Sequence, residues 1–343
     1  MRYVSSILFI VTLLLWTPVW AQIDPERGDV RLVILSDFNG AYGSLVYSSQ
    51  VAQVLDVTRT VWQPDLFLSA GDIIGGQDTS LPAERFAAMW QTFDVEVAAR
   101  LRKANIPYAF AIGNHDGSSL RTQNKFIFQR ERDAARAYWR QPLYEANLPY
   151  QSREDFPFNY SFVLNEVFFA VWDASSATIT DEQKAWLARE LARPAAQGAE
   201  LRILLGHLPL YGVSEEKNRP GEVLEGGDAL RRWLEEQRLD LYISGHHAAY
   251  YPAKVGEVTL LHSGGIGARP LLGSAAEPRS AVTVLDIDFD AEPRLRLTTF
   301  DTRTLNIETL SRGAGRLNVI SPQSLPETLE GLNGTLTRLD LSP

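Results

Sequence analysis

Five short apolar runs, each ending in a turn that carries polar side chains, constrain this chain more than any other feature. Arg31-Leu32-Val33-Ile34-Leu35 leads into Ser36-Asp37-Phe38-Asn39-Gly40, and Asp65-Leu66-Phe67-Leu68-Ser69-Ala70 leads into Gly71-Asp72. Tyr108-Ala109-Phe110-Ala111-Ile112 ends in Gly113-Asn114-His115-Asp116. Leu201-Arg202-Ile203-Leu204-Leu205 ends in Gly206-His207, and Leu239-Asp240-Leu241-Tyr242-Ile243-Ser244 in Gly245-His246-His247. Apolar runs of about 4–8 residues bounded by turn formers read as buried strands. Helical patterns fill the gaps, over 82–103, 122–140, 181–192 and 228–237. Strands alternating with helices predict an α/β chain with a mainly parallel sheet and helices outside it. In such a sheet the carboxyl ends of the strands open onto one crevice, which gathers Asp37, Asp72, Asn114, His115, Asp116, His207 and His246.

Composition narrows what that crevice does. The chain has no cysteine, which excludes disulfides, thiolate metal sites and cysteine nucleophiles. Its net charge of −9 makes it a poor partner for a phosphate backbone, so no nucleic-acid binding is expected. Of the five histidines, His115, His207, His246 and His247 fall in strand-tip motifs. A lone Gly-Asp is an ordinary turn, and a lone histidine is more often packed than ligating. Their joint occurrence, in order and at α/β spacing, is not an ordinary turn inventory. Carboxylate, amide and imidazole groups without thiolates suit Mn, Fe or Zn. Such ions can clamp both oxygens of a phosphoryl displacement and acidify the attacking water, so no protein nucleophile is needed. A neighbouring His-carboxylate pair can then protonate the leaving group.

Outside this core, residues 1–21 read as a secretory signal. An apolar stretch Ile7–Trp16 shorter than the ~20 residues of a membrane span is followed by Pro18 and the small-residue boundary Val19-Trp20-Ala21. Cleavage after Ala21 predicts an exported protein, periplasmic or extracellular, with no membrane segment afterwards. Residues 117–158, rich in Arg, Tyr and Trp, read as a helical insertion over the site. Arg121, Lys125, Arg130, Tyr138, Trp139, Arg140 and Arg153 read either as an anion-gripping, stacking surface or as a solvated amphipathic face. From Ala281 the pattern alternates as in paired antiparallel strands, and residues 301–343 read as a β-rich C-terminal extension. The oligomeric state is not legible.

The ordered tips resemble the calcineurin-like metallophosphoesterase superfamily, over residues 30–300. That family reads Asp-x-His, Gly-Asp, Gly-Asn-His-Asp/Glu, Gly-His and Gly-His-x-His. Here the corresponding residues are Asp37-Phe38-Asn39, Gly71-Asp72, Gly113-Asn114-His115-Asp116, Gly206-His207 and Gly245-His246-His247-Ala248. Asn159-Tyr160-Ser161-Phe162, Val167-Phe168-Phe169-Ala170-Val171-Trp172-Asp173 and Gln183-Lys184-Ala185-Trp186-Leu187 look like the secreted acid-phosphatase branch. The resemblance implies a four-layer α-β-β-α sandwich of two mixed sheets flanked by helices. It implies one or two divalent metal ions at the strand tips. Asp72 would be the bridging ligand, with Asn114, His207 and His246 completing one position. Asp37 would serve the other position, and His115, steered by Asp116, would be the catalytic group.

The chain departs from the family at that second position. Asn39 stands where the family has its first histidine, and Ala248 where it has its last. An amide oxygen binds Zn or Fe more weakly than imidazole does, and alanine offers no side-chain donor. The second position is left with Asp37, Asp72 and Asn39, a set better matched to Mn or Mg. His247, His262 and Tyr42 are the conceivable substitutes. The expected function is hydrolysis of small phosphomonoesters or phosphodiesters by metal-activated water, with activity reduced by the two departures. The alternative is a non-catalytic phosphate- or ligand-binding relative that has lost one metal position.

Overall fold

A computed structural model of the chain describes residues 23–142, 146–311 and 317–339; the signal reading over 1–21 lies outside the described residues. The strands in chain order are β1 (Val30–Ile34), β2 (Leu66–Ser69), β3 (Tyr108–Phe110), β4 (Arg121–Thr122), β5 (Lys125–Phe126), β6 (Tyr150–Asp155), β7 (Asn159–Leu164) and β8 (Val167–Val171). They continue as β9 (Leu201–Leu205), β10 (Leu241–Ser244), β11 (Tyr250–Val255), β12 (Val258–Ser263), β13 (Ala281–Ile287), β14 (Leu295–Asp301), β15 (Thr328–Gly331) and β16 (Gly334–Arg338). One sheet runs β14-β13-β1-β2-β3 and the other β15-β16-β11-β12-β10-β9-β8-β7-β6. Both are mixed. Parallel pairs occupy the middle of the second sheet and the β1-β2-β3 side of the first, and antiparallel hairpins finish the edges. The mainly parallel sheet expected from strand–helix alternation therefore holds only for these parts, because the edge strands follow one another too closely for a helical crossover.

Side-chain alternation makes four layers of these two sheets. In β8, Val167, Phe169 and Val171 point into a core shared with β1, β2 and β3. Phe168 and Ala170, with Trp172 just beyond, point the other way, against Trp186, Leu187 and Leu191 of the helix Asp181–Leu191 and Leu230 and Leu234 of the helix Gly227–Glu236. A strand shows its two faces alternately, so three central strands read as continuous apolar runs because both faces are covered. The helices Ser49–Val57 and Ala83–Phe93 cover the five-stranded sheet through Val51, Val54, Leu55, Phe86, Met89, Trp90 and Phe93. The molecule is thus an α-β-β-α sandwich.

Residues 117–158 contain less helix than their composition suggests. The helical pattern over 122–140 yields helix only at Gln129–Trp139. Before it, β4 and β5 pair through Gln123 and Asn124, whose φ values of 48° and 62° suit a two-residue turn of the left-handed kind. The helix packs on Ala83–Phe93, with Trp139 stacked on Phe110 at 4.0 Å. Arg132 is buried in it. Its guanidinium donates to Asp173 Oδ2 at 2.7 Å and to the Gly117 carbonyl at 2.8 Å, and lies over the rings of Phe126 and Phe158. Removing one partner of such a buried pair typically costs about 3–5 kcal/mol, so this is an anchor of the helix. Of the C-terminal residues, β15 and β16 form a hairpin that extends the nine-stranded sheet beside β11.

Candidate metal centre

Three strand tips reach the centre through backbone that few residues adopt. Asp37, Asp72 and His246 have φ of 50°, 56° and 63°, and Ala248 has 46°. Left-handed non-glycine residues cost of order 1 kcal/mol or more each and concentrate at functional sites. The glycines beside them are required by crowding. A Cβ on Gly113 would stand 2.2 Å from Asp72 Oδ1, and one on Gly71 would stand 2.7 Å from His207 Nδ1. Backbone bonds stitch the tips together: Asp37 N–H donates to the Gly71 carbonyl at 3.0 Å and Asn39 N–H to the Asp72 carbonyl at 3.1 Å.

Four donors converge inside this frame. Asn114 Oδ1 lies 2.8 Å from His207 Nε2 and 2.8 Å from His246 Nδ1, and the two ring nitrogens are 3.2 Å apart. Asp72 Oδ1 lies 3.3 Å from His207 Nε2. Among the described residues, Asp72, His207 and His246 are the group of carboxylates and imidazoles whose ligand atoms come within 4.8 Å of one another. Outer partners fix which atoms face inward. His207 Nδ1–H donates to the Ala70 carbonyl at 2.7 Å, leaving the Nε2 lone pair turned to the cluster. His246 Nε2–H donates to Glu222 Oε2 at 2.7 Å, leaving Nδ1 inward. Asn114 Nδ2 donates to Gln77 Oε1 at 2.7 Å, which turns its oxygen inward.

Lone pairs facing lone pairs need a positive charge between them. The electrostatics agree. Burial opposes charging of His207, yet the Asp72 carboxylate outweighs it and raises the ring to about 9, so a proton holds at Nε2 the position that a metal would take from it. Against burial, the His207 and His115 rings hold the Asp72 carboxyl well below its usual range. Burial pushes His246 down to about 3, which keeps it a neutral imidazole. The donor set Asp72, Asn114, His207 and His246 therefore fits one divalent cation, with each imidazole steadied by a carbonyl or carboxylate as metal-bound histidines are.

Other expected residues are placed differently. Asp37 does not join the cluster: its Oδ2 accepts the His246 backbone N–H at 3.0 Å, and burial pushes its carboxyl up. Asp116 does not steer the His115 ring. Its Oδ1 accepts the N–H groups of Ile73 and Ile74, and its Oδ2 that of Gly113, all at 2.8 Å, so it braces the loops rather than the imidazole. The His115 Nδ1 instead faces the Gly76 carbonyl at 3.1 Å, while Nε2 lies 3.9 Å from Asp72 Oδ2. Neither substitute histidine supplies a ligand. His247 Nδ1 accepts the N–H groups of Val213 and Ser214, and its Nε2 donates to the Glu222 carbonyl. His262 Nδ1 is held at the Tyr251 carbonyl. Tyr42 is 63% exposed, its ring 5.2 Å from that of His115.

The cluster opens on a cleft of about 690 Å³. Its cations are Lys217, Arg219 and Arg269, and none of the basic residues 121–153 singled out from the sequence lines it. Lys217 and Glu222 lie on a loop after β9 with no periodic signal, and only their charge after a Gly-His tip marks them. A further residue also acts at a distance. Glu131, on the helix Gln129–Trp139, accepts the Asp78 N–H at 3.2 Å, and Oε2 has no partner among the described residues. It thereby braces the 76–78 loop, which holds both His115 and Asn114. Burial raises Glu131 from 4.5 to about 7 despite the Gln77 and Asp78 N–H bonds. Between those values the folded chain keeps a proton that the unfolded chain has released, so this group lowers stability as pH rises through the window. In Glu131→Gln, thermal unfolding followed from pH 4 to 8 should lose that part of the decline. Equal pH slopes in both proteins would show that Glu131 titrates as an ordinary glutamate.

The α-β-β-α sandwich thus carries carboxylate, amide and imidazole donors at its strand tips. The family model for calcineurin-like phosphoesterases matches residues 30–250, and the chain belongs to that family. No curated protein matches it by sequence. Among solved structures it is similar to a purple acid phosphatase from seeds of yellow lupin (Lupinus luteus), at 16% identity and a TM-score of 0.59 over 84% of this chain and 52% of that one. The chain thus spans about half the length of the lupin enzyme. It is also similar to GAP50, the anchor in the inner membrane complex of Plasmodium, at 14% identity and TM-score 0.51 over 85% and 89% of the two chains. A dimetal phosphatase from Danio rerio matches at 12% identity and TM-score 0.51 over 79% and 95%. At these identities the likeness is one of fold. Among the described residues no helix is long and apolar enough to cross a membrane.

Proposed function

We propose that the chain is an exported phosphohydrolase that cleaves small phosphomonoesters or phosphodiesters with a divalent metal and water. The observation that carries this reading is the convergence of four lone-pair donors at the floor of the cleft, with the His115 imidazole beside them. Asp72, Asn114, His207 and His246 would hold the cation. When bound it supplies Lewis acidity toward a phosphoryl oxygen and toward water. His115, lining the cleft with Nδ1 at the Gly76 carbonyl, would pass a proton from Nε2 to the leaving oxygen. Asp116 holds the loops that bear these groups. The cleft is lined by Ser118, Ser175, Ser176 and Thr178, and Tyr42 stands at its mouth. Such walls suit a small polar ester, and the Tyr42 ring suits an aromatic leaving group lying along it.

The second reading, a ligand-binding relative without turnover, is favoured by Asn39 and Ala248, which leave the other metal position short of donors. One preparation tests both. Protein recovered from the exported fraction should begin at Gln22, carry a divalent metal and hydrolyse a nitrophenyl phosphomonoester or diester with added Mn, Zn, Fe or Mg. An intact Met1 would sink export. Metal binding without turnover under any of the four ions would leave the binding relative.

A further inference from the structure

Beside the four donors lies a cation of the chain's own. Lys217 Nζ is 3.2 Å from both ring nitrogens of His246 and 3.4 Å from Glu222 Oε2. Its side chain is only 14% exposed, yet it lines the cleft with His115 and Asn114. The turn Glu215–Lys217 is pinned on several sides. The ring of His247 takes the N–H groups of Val213 and Ser214 and gives its own to the Glu222 carbonyl, which ties both ends of the loop to one buried side chain. Glu215 N–H donates to the Pro270 carbonyl at 3.1 Å, and Glu216 pairs with Arg269. A lysine fixed this firmly at the floor of a cleft is placed for more than solubility. Lys217 reaches His246, whose backbone N–H binds Asp37 of the second position, and there the ligands run short, since Ala248 offers no donor.

We propose that the Lys217 ammonium takes the place of a second metal ion in this centre. One divalent cation on Asp72, Asn114, His207 and His246 and one tethered ammonium then grip the phosphoryl group together. This rests on the phosphoester reading given above. An ammonium gives a phosphoryl oxygen charge-assisted N–H bonds, which is the binding half of what a second cation provides. It cannot share the oxygens of Asp72 as a bridged ion would, so Asn39 and Ala248 have nothing to coordinate and their side chains are free to differ. Glu222 stands as its counter-charge and at the same time orients His246, so the pair fixes ammonium and imidazole relative to each other.

The test titrates inorganic phosphate calorimetrically into metal-loaded wild type, Lys217→Met and Lys217→Arg, with metal per chain measured on each. The expected result is a single metal ion per wild-type chain. Phosphate should bind about 10- to 100-fold more weakly to Lys217→Met, the usual worth of a hydrogen bond to a charged group, and Lys217→Arg should recover most of the loss. Two metal ions, or none, in the wild type would overturn it, as would unchanged phosphate affinity in Lys217→Met. A wild type that holds one metal and binds phosphate through Lys217, but hydrolyses neither nitrophenyl ester, would overturn the hydrolase reading and leave the role of the lysine standing.

Discussion

Replacing His207 with alanine is expected to empty the metal centre and to lower thermal stability together. The ring is fully buried, bonded on one side to the Ala70 carbonyl and on the other facing Asn114 Oδ1 and Asp72 Oδ1. Losing even an outer partner of a ligand costs about 10–100-fold in metal affinity, and losing the ligand itself should cost more. A bound ion at a hundred times its dissociation constant stabilises the fold by about 2.7 kcal/mol, so that increment goes with the metal. The turnover that depends on the ion should go too. His262→Ala is the control, because that ring is equally buried but bonds to backbone away from the centre. Metal content and unfolding temperature, with and without a chelator, decide the matter. In wild type the chelator should lower the unfolding temperature, and in His207→Ala it should change nothing. Full metal occupancy in His207→Ala would show that the residue is no ligand.

His115→Ala should fail in the opposite way, with metal retained and turnover reduced by ~10²–10⁴, the usual contribution of a positioned acid or base. The ring contributes no donor to the four-atom cluster, and its Nδ1 is taken by the Gly76 carbonyl. What remains is Nε2, 3.9 Å from Asp72 Oδ2 on a side chain that lines the cleft. The loss should shrink for nitrophenolate, which departs without protonation, and grow for alkyl phosphates. A loss of equal size across leaving groups would assign His115 to binding rather than to proton transfer.

The sequence reading recovered the layers and the strand tips because both follow from local pattern. Apolar runs such as Leu201–Leu205 are buried on two faces, and the Gly-Asp and Gly-His turns that follow them bring the donors to one crevice. The residues it missed sit where local pattern is silent. Gln77, Lys217 and Glu222 lie on loops or a short turn and Glu131 on a charge-rich helix, and only the closing of the fold sets them against Asn114, the 76–78 loop and His246. Asp116 follows the same rule. Its neighbour in sequence is His115, but its hydrogen bonds reach back to Ile73 and Ile74. The basic residues of 117–158 do not form the expected cleft surface: Arg132 is a buried anchor, and the cleft takes its cations from the loops after β9 and β12. Charge counts along a segment do not say which side of it faces the ligand.

The four donors come from both sheets, Asp72 and Asn114 following β2 and β3, His207 and His246 following β9 and β10. A cation shared among them would therefore fasten one sheet to the other, bringing together residues such as His246 and Asn114, 132 positions apart in the chain. In a protein without a single cysteine, this is the role a disulfide plays elsewhere. Closing a loop of that length restricts the unfolded chain by an amount on the order of 4–5 kcal/mol in the entropic picture of cross-links. Unlike a disulfide, the fastening is reversible: it would be made when metal arrives and undone by a chelator, with no change of redox state.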